Sequence, residues 1–316
     1  MTTARAETAM PPPLAYVALA VDDPERSAAF FEVGLGLRIE RRKVGGAAVP
    51  FVGVGDTALG LFDVEHPFLE GASGKGVHHI AIASDDPEAR TLSVFGTQAT
   101  PSDGIDGKTQ VQLARELTCG VQVRLTQPLT LAGGCSETVE RIDHIGVASG
   151  DNQAAKHAFI ENLGCVYESQ QTDSELETLS ENFVSDVHGN VFHTRPTTLR
   201  GSLRVTFISV GDCELEFLQD LTVSVKADAG RHDIAGNTRG DRSAIARFVE
   251  RRGQGLHHLA LKTPDINAAL ARLHAAGFRI IDNQGRPGSR RAQIGFIHPS
   301  AVGGVLIHFV QRELVQ

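Results

Sequence analysis

Thirteen histidines are spread through 316 residues, and several stand where an imidazole needs an explanation. The stretch GGVLIHFVQ, residues 303–311, reads as a strand crossing a protein interior, yet it carries His308 between Ile307 and Phe309. His144 stands in IDHIGVA, and paired histidines stand in GVHHIAIA (His78, His79) and GLHHLALK (His257, His258). An imidazole on an apolar strand is either a core group with one hydrogen bond or a metal ligand or base. The neutral ring offers a lone pair and one N–H, and it titrates near neutrality. A carboxylate would extend such chemistry to a divalent cation. CELEFL supplies Glu214 and Glu216, which period two puts on one face of a strand.

The elements that must position these residues recur. GVHHIAIASDDPEA from Gly76 and GLHHLALKTPDINAAL from Gly255 share a glycine, an apolar residue, two histidines, an alternating strand and a helix opening. In the second, Asp265 is placed to cap the helix and Gly277 to end it. LAYVALAVDDPERSAAFFEVGLGL from Leu14 and IDHIGVASGDNQAAKHAFIENLGC from Ile142 share that outline. Alternating strands follow, among them AVPFVGVGDTALGLFDV and LRVTFISVGDCELEFLQDL, each hinged on Gly-Asp like a hairpin. The pattern predicts an α+β chain in which a βαβββ module is used four times and paired into two halves. The expected divisions are a disordered arm over 1–13, one domain over 14–130, a linker over 131–140 and a second domain over 141–316.

Composition narrows the functions. Apolar residues make up 41% and charged residues 22%, with a formal net charge of −8. Lys and Arg are scattered, against a nucleic-acid surface, which needs clustered cations. No run of 18 apolar residues is present, so no membrane span is expected. The N-terminus lacks the apolar core of a signal peptide. Cys119, Cys135, Cys165 and Cys213 form no CxxC pair and read as four free thiols in a cytoplasmic protein.

Together the repeats resemble the vicinal oxygen chelate superfamily, which includes glyoxalase I, methylmalonyl-CoA epimerase and extradiol dioxygenases. The likeness in architecture covers nearly the whole chain. In wording it is nearest to the epimerase over residues 141–316, through RIDHIGVA, GLHHLALKTPDINAALARL and FIHPSAVGGVLIHFV. The resemblance implies two glyoxalase-like domains with cupped mixed sheets. It also implies a divalent metal (Fe(II), Mn, Co, Ni or Zn) held by one residue from each of four strands, and a possible homodimer.

Laid on this pattern, the C-terminal half offers His144, Glu216, His258 and His308 as ligands, with Glu216 and His308 as catalytic residues. His258 is chosen over His257 because it aligns with His144. The same alignment puts Tyr16, Gly60, His79 and Arg124 in the N-terminal half. Arginine is a permanent cation, so that half is expected to keep the fold without a metal. The epimerase pattern ends in an acidic GVLIE where this chain has His308, and RPTTLRGSLRV lacks the acid expected there as a base. Three histidines and one glutamate would leave a divalent site at +1, favouring an anionic bidentate oxygen ligand. The resemblance implies an enzyme stabilising the enolate or a related oxyanion of a small carbonyl or acyl substrate, as an isomerase, epimerase or lyase. An Fe(II) dioxygenase and a non-catalytic small-molecule binder are the alternatives. His78 and His257 read as outward or structural, and His79 as structural. His188 and His193 fall in a polar segment between strands, His298 at a turn, and GRPGSRR (285–291) in a cationic loop.

Overall fold

The computed structural model describes residues 10–71, 74–222 and 238–313. The N-terminal half contains β1 (Leu14–Val21), α1 (Pro24–Ala29), β2 (Ile39–Val44), β3 (Ala47–Val54) and β4 (Thr57–Asp63). It continues through β5 (Gly76–Ala83), α2 (Pro87–Phe95), β6 (Pro101–Asp103), β7 (Thr109–Gln112) and β8 (Val123–Thr126). The C-terminal half opens with β9 (Arg141–Ser149), α3 (Asn152–Lys156), β10 (Val166–Glu177), β11 (Ser180–Ser185) and β12 (Gly189–Thr194). There follow β13 (Thr198–Val210), β14 (Cys213–Asp220), α4 (Thr238–Arg252), β15 (Gly255–Lys262) and α5 (Ile266–Ala275). The last strands are β16 (Arg286–Pro287), β17 (Gln293–Ile297) and β18 (Ile307–Gln311).

Each half is an eight-stranded mixed sheet, ordered β2-β3-β4-β1-β5-β8-β7-β6 and β10-β13-β14-β9-β15-β18-β17-β16. The two orders are the same once the β11–β12 hairpin and α4 are set aside as additions. The fourfold βαβββ pattern is therefore present. Each module's helix starts on an aspartate whose carboxylate accepts from the first turn: Asp23, Asp86, Asp151 and Asp265. Both Gly-Asp hairpins form, with Gly55 (φ +61°) and Gly211 (φ +56°) in the left-handed region. The two tips meet, and the Asp56 amide donates to Asp212 Oδ2 at 3.0 Å.

The halves share one apolar core that runs from Leu14 to Phe309. Phe30 after α1 meets Phe278 after α5 edge-on at 5.2 Å, and Arg272 Nε donates to the Gly34 carbonyl at 2.8 Å. Residues 131–140 are pinned to both halves. The Ser136 hydroxyl donates to the Leu35 carbonyl at 2.6 Å, and the Glu140 amide donates to the Lys262 carbonyl at 2.9 Å. Residues 1–9 of the expected arm lie outside the described residues, while the Pro12 and Pro13 carbonyls accept from the amides of Gly211 and Ala83.

The segment 170–194, which includes the polar stretch with His188 and His193, is largely β-structure. Gln171 to Glu177 extend β10 along β13, and β11 pairs with β12. The β11–β12 arm is largely exposed, and the half-buried face of the β10 extension is polar (Gln171, Asp173, Glu175), so no apolar alternation reveals it. His188 and His193 are exposed on it.

In the N-terminal half the sheet is closed by a polar network rather than by ligands. Tyr16 is fully buried, and its hydroxyl lies 3.1 Å from His79 Nε2, while His79 Nδ1 lies 2.7 Å from His78 Nδ1. Burial, reinforced by Arg124, depresses both imidazoles: His78 to about 4, and His79 well below its usual value. An unfolded histidine titrates near 6.5. Below that pH the unfolded chain binds protons that the folded one refuses, so stability falls as pH falls. Moving from pH 7.5 to pH 5 should lower the melting temperature, since below pH 6.5 each histidine costs stability by up to about 1.4 kcal/mol per pH unit. His79→Gln should flatten that dependence in thermal melts; an unchanged slope would remove His79 as its source.

Candidate metal centre

The donors come from the four central strands of the C-terminal sheet, β14-β9-β15-β18, and register brings them together. Gly146 on β9 pairs with Glu216 on one side and His258 on the other. One pleat back, His144 pairs with Ala260, which pairs with His308. Alternate residues share a face, so all four side chains enter one cup. They are buried, with exposures of 4–7%.

Gly146 makes the convergence possible. A Cβ built there would lie 2.0 Å from His258 Cε1, so the ring occupies space that any side chain would take. His258 Nε2 thereby reaches within 3.4 Å of His144 Nε2. Glu216 Oε2 lies 3.3 Å from His144 Nε2 and 3.5 Å from His258 Nε2. Ligands held about 2.0–2.1 Å from a tetrahedral cation stand roughly 3.4 Å from one another, so these three atoms already have the spacing of a first coordination shell. His144, His258 and His308 each offer a nitrogen within 4.8 Å of the others. His308 Nδ1 is buried with no hydrogen-bond partner, an unmet group that a ligand role would satisfy for a ring so placed. The residues fit a divalent metal, and the triad of histidines could hold one.

The electrostatics favour the same use. Burial opposes the charge of Glu216, but the facing His144, a hydrogen bond from His258 and Arg290 hold its carboxyl down to about 2. Burial also disfavours charge on His144, yet Glu216 and Asp143 raise its pKa above the usual value. His308 is pushed well below the usual value by burial, then by His258 and His144. It is therefore the neutral imidazole that ligation requires.

Two acids that sequence reasoning missed complete the site. Asp143 Oδ1 lies 2.8 Å from His144 Nδ1, and Arg312 holds the same carboxylate at 2.5 and 3.0 Å. Despite burial, the hydrogen bond to His144 and the Arg312 charge keep Asp143 ionised far below the usual range. A carboxylate on the far nitrogen fixes the ring and points Nε2 inward. Its position directly before His144 was the available signal. Asp173 on β10 lines the cavity above the cup, with Gln171 Nε2 donating to it at 3.0 Å. Burial raises its pKa; the Gln171 hydrogen bond opposes this, and the Glu216 charge adds to it. The signal here was hidden in the solvent-exposed arm.

The cavity is about 850 Å³, room for a small organic molecule. Its walls include Phe207, Leu218, Ile245 and Phe296. The cationic loop 285–291 borders the cavity, and its central arginine is already engaged. Arg290, at φ +52°, lies 3.5 Å over the Phe207 ring and pairs with Glu214 at 2.5 Å and Glu168 at 2.9 Å. That ion pair occupies Glu214, which leaves Glu216 as the carboxylate in the cup. His298 is half-buried and caps a turn through Ser300, and it is not among the residues that line the cavity. His257 and His78 sit on matching β-bulges and touch the adjacent His258 and His79 through Nδ1. In the N-terminal half the same register brings together Tyr16, Gly60, His79 and Arg124. Phe51 and Phe62 fill the space at Gly60, and Arg124 lies 4.4 Å over Phe68. All four cysteines are free thiols.

Paired βαβββ modules curled into two mixed sheets, with one donor cluster in a cup, define a class of protein. Family models described as the glyoxalase/bleomycin resistance protein/dioxygenase superfamily match residues 14–94 and 143–296. The chain belongs to this superfamily, the vicinal oxygen chelate fold. It is 24% identical over 175 residues to the uncharacterised protein YqjC of Bacillus subtilis, a match spanning 55% of this chain and 94% of that one. It is 25% identical over 187 residues to human mitochondrial methylmalonyl-CoA epimerase, spanning 59% of this chain and 82% of the relative. Among solved structures, a mutant 4-hydroxymandelate synthase from Streptomyces coelicolor superposes with a TM-score of 0.60 at 16% identity, covering 97% of this chain and 94% of that chain. This shows the shared two-sheet fold. No helix among the described residues is long and apolar enough to cross a membrane.

Two substitutions test the cup without touching a donor. Gly146→Ala should displace the His258 ring and cut bound divalent metal by more than tenfold, with the circular dichroism spectrum retained. Asp143→Asn should weaken metal affinity by about 10–100-fold, the cost of losing an outer-shell partner. Wild-type metal content in both variants, by elemental analysis, would mean the cup does not hold the ion.

Proposed function

We propose that the chain is a divalent-metal enzyme that moves a proton next to the carbonyl of a small acyl or keto compound, as an epimerase, isomerase or lyase. The observation that carries this is the joint geometry of the cup: His144, His258 and Glu216 at ligand spacing, His308 behind them, and Asp173 on the wall of the same cavity. When bound, the ion supplies Lewis acidity to substrate oxygens. The remaining tasks fall to the chain. His144, Glu216, His258 and His308 hold the ion, and Asp143 with Arg312 orients His144. Asp173, a half-buried carboxylate whose pKa is raised, takes the proton from carbon and returns it. This assigns His308 to ligation, since Asp173 supplies the base that the stretch after residue 194 lacks. Phe207 and Phe296 exclude water around the reacting carbon.

A second reading rests on a different detail. The three most closely spaced donors are two histidines and one carboxylate, the facial set of non-haem Fe(II) oxygenases. In that reading His144, His258 and Glu216 would hold iron.

Exchange measured by NMR in deuterated water separates them. Metal-loaded protein offered a panel of 2-oxo acids and acyl thioesters should wash deuterium into the position beside the carbonyl. Asp173→Asn should slow this by about 10²-fold or more, with metal content unchanged. The His144→Ala/His258→Ala variant should bind no ion and exchange nothing. Substrate-dependent oxygen uptake with Fe(II), and no exchange, would replace the first reading with the second.

A further inference from the structure

Between the halves lies a second cleft, of about 370 Å³, that the metal centre does not use. Lys75 and Arg115 line it from the N-terminal half, and Arg247, Arg251 and Arg252 from α4. Among the described residues, no aspartate or glutamate lines it. In a chain whose net charge is −8, five cations along one cleft, with no acid among its described lining residues, are a local inversion. Lys75 pairs with Asp22 at 3.2 Å and Arg247 is already engaged, while among the described residues no carboxylate stands within ion-pair distance of Arg115 or Arg251. Like charges held together repel unless an anion is drawn between them.

A second observation points to a ligand. His78 lines this cleft and is only 7% exposed. Its Nδ1 is held by His79 at 2.7 Å, and its Nε2 has no hydrogen-bond partner. The bulge sets His78 out of register in the cleft lining, and a buried polar atom left unmet there calls for a partner.

We infer that this cleft binds a phosphate-bearing ligand across the two halves. A single carboxylate would neutralise only one of the cations that remain, such as Arg115 or Arg251. A di- or polyphosphate group offers several charges and many acceptor oxygens, which match guanidinium forks. The cleft and the metal cavity share Ala244, Arg247, His257 and Leu306. The phosphate therefore belongs either to the tail of the molecule whose head reaches the cup or to a separate phosphorylated ligand.

Calorimetric titration of the full chain with inorganic pyrophosphate at low salt tests the site. Wild type and the His144→Ala/His258→Ala variant should bind alike, which separates this site from any chelation of the ion. Arg115→Glu and Arg251→Glu, on opposite walls, should each weaken binding at least tenfold, Arg251→Gln less so, and added salt should weaken it further. Thermal melts report whether each variant is folded. No binding to wild type, binding that survives both reversals in folded protein, or binding lost with the cup histidines would overturn the inference. The source is read from cobalt-loaded protein by visible absorption. If the phosphate is a tail, a 2-oxo acid with a terminal phosphate should perturb the spectrum at lower concentration than its unphosphorylated parent, and Arg251→Glu should erase that advantage. Pyrophosphate binding without such an advantage assigns a separate ligand.

Discussion

A carboxylate buried between two imidazoles, across a residue with no side chain, organises the C-terminal half. Glu216 in isolation would cost several kcal/mol to desolvate. It is tolerated because His144 and His258 stand 3.3 and 3.5 Å away. They can do so only because Gly146 leaves β9 bare where the His258 ring crosses it. This demands one register of β14, β9 and β15. A slip of one residue would send each donor to the opposite face. The sheet order, the Gly-Asp turns and the aspartate caps that fix each module's helix all serve that register.

The N-terminal half obeys the same register with different contents. Tyr16, Gly60, His79 and Arg124 take the positions of His144, Glu216, His258 and His308. The space above Gly60 is taken by Phe51 and Phe62, and Arg124 donates to the Phe68 carbonyl at 2.7 Å. A guanidinium at the fourth corner repels a metal ion. What the first half retains is a stiff sheet, a share of the common core and one wall of the seam.

The repeat made much of this legible. Aligning HIGVA with HLALK selects His258 over His257, and the pairing of both strands about Gly146 puts His258 in the cup. The period-two ambiguity between Glu214 and Glu216 could not be settled from the strand itself. The alignment chose Glu216, and in the fold Arg290, 76 residues away from Glu214, claims the other carboxylate. Asp143 was hidden because a strand pattern assigns neighbours to opposite faces, whereas its carboxylate reaches the His144 ring. Asp173 was hidden because β10 extends beyond the core, where no apolar alternation marks a strand. The cationic seam was not legible at all. Its residues come from the start of β5, the turn before β8 and α4, and only the packing of one half on the other assembles them.

The paired histidines link these features. On a regular strand, neighbours face opposite sides and cannot touch. A bulge at His78 and another at His257 break that rule in both halves. The inner members, His79 and His258, keep to the cup, and the outer members turn along the seam while still meeting their neighbours through Nδ1, at 2.7 and 2.9 Å. Bulges cluster beside functional sites because they re-aim side chains without moving the sheet. Each pair is therefore a fixed join between the interior of a cup and the seam between halves. His257 lines both the metal cavity and the cationic cleft. The His-His motif, read alone, looks like one functional residue beside one spare. In the fold it couples two surfaces, which is why the motif appears even in the half whose cup holds tyrosine and arginine instead of metal donors.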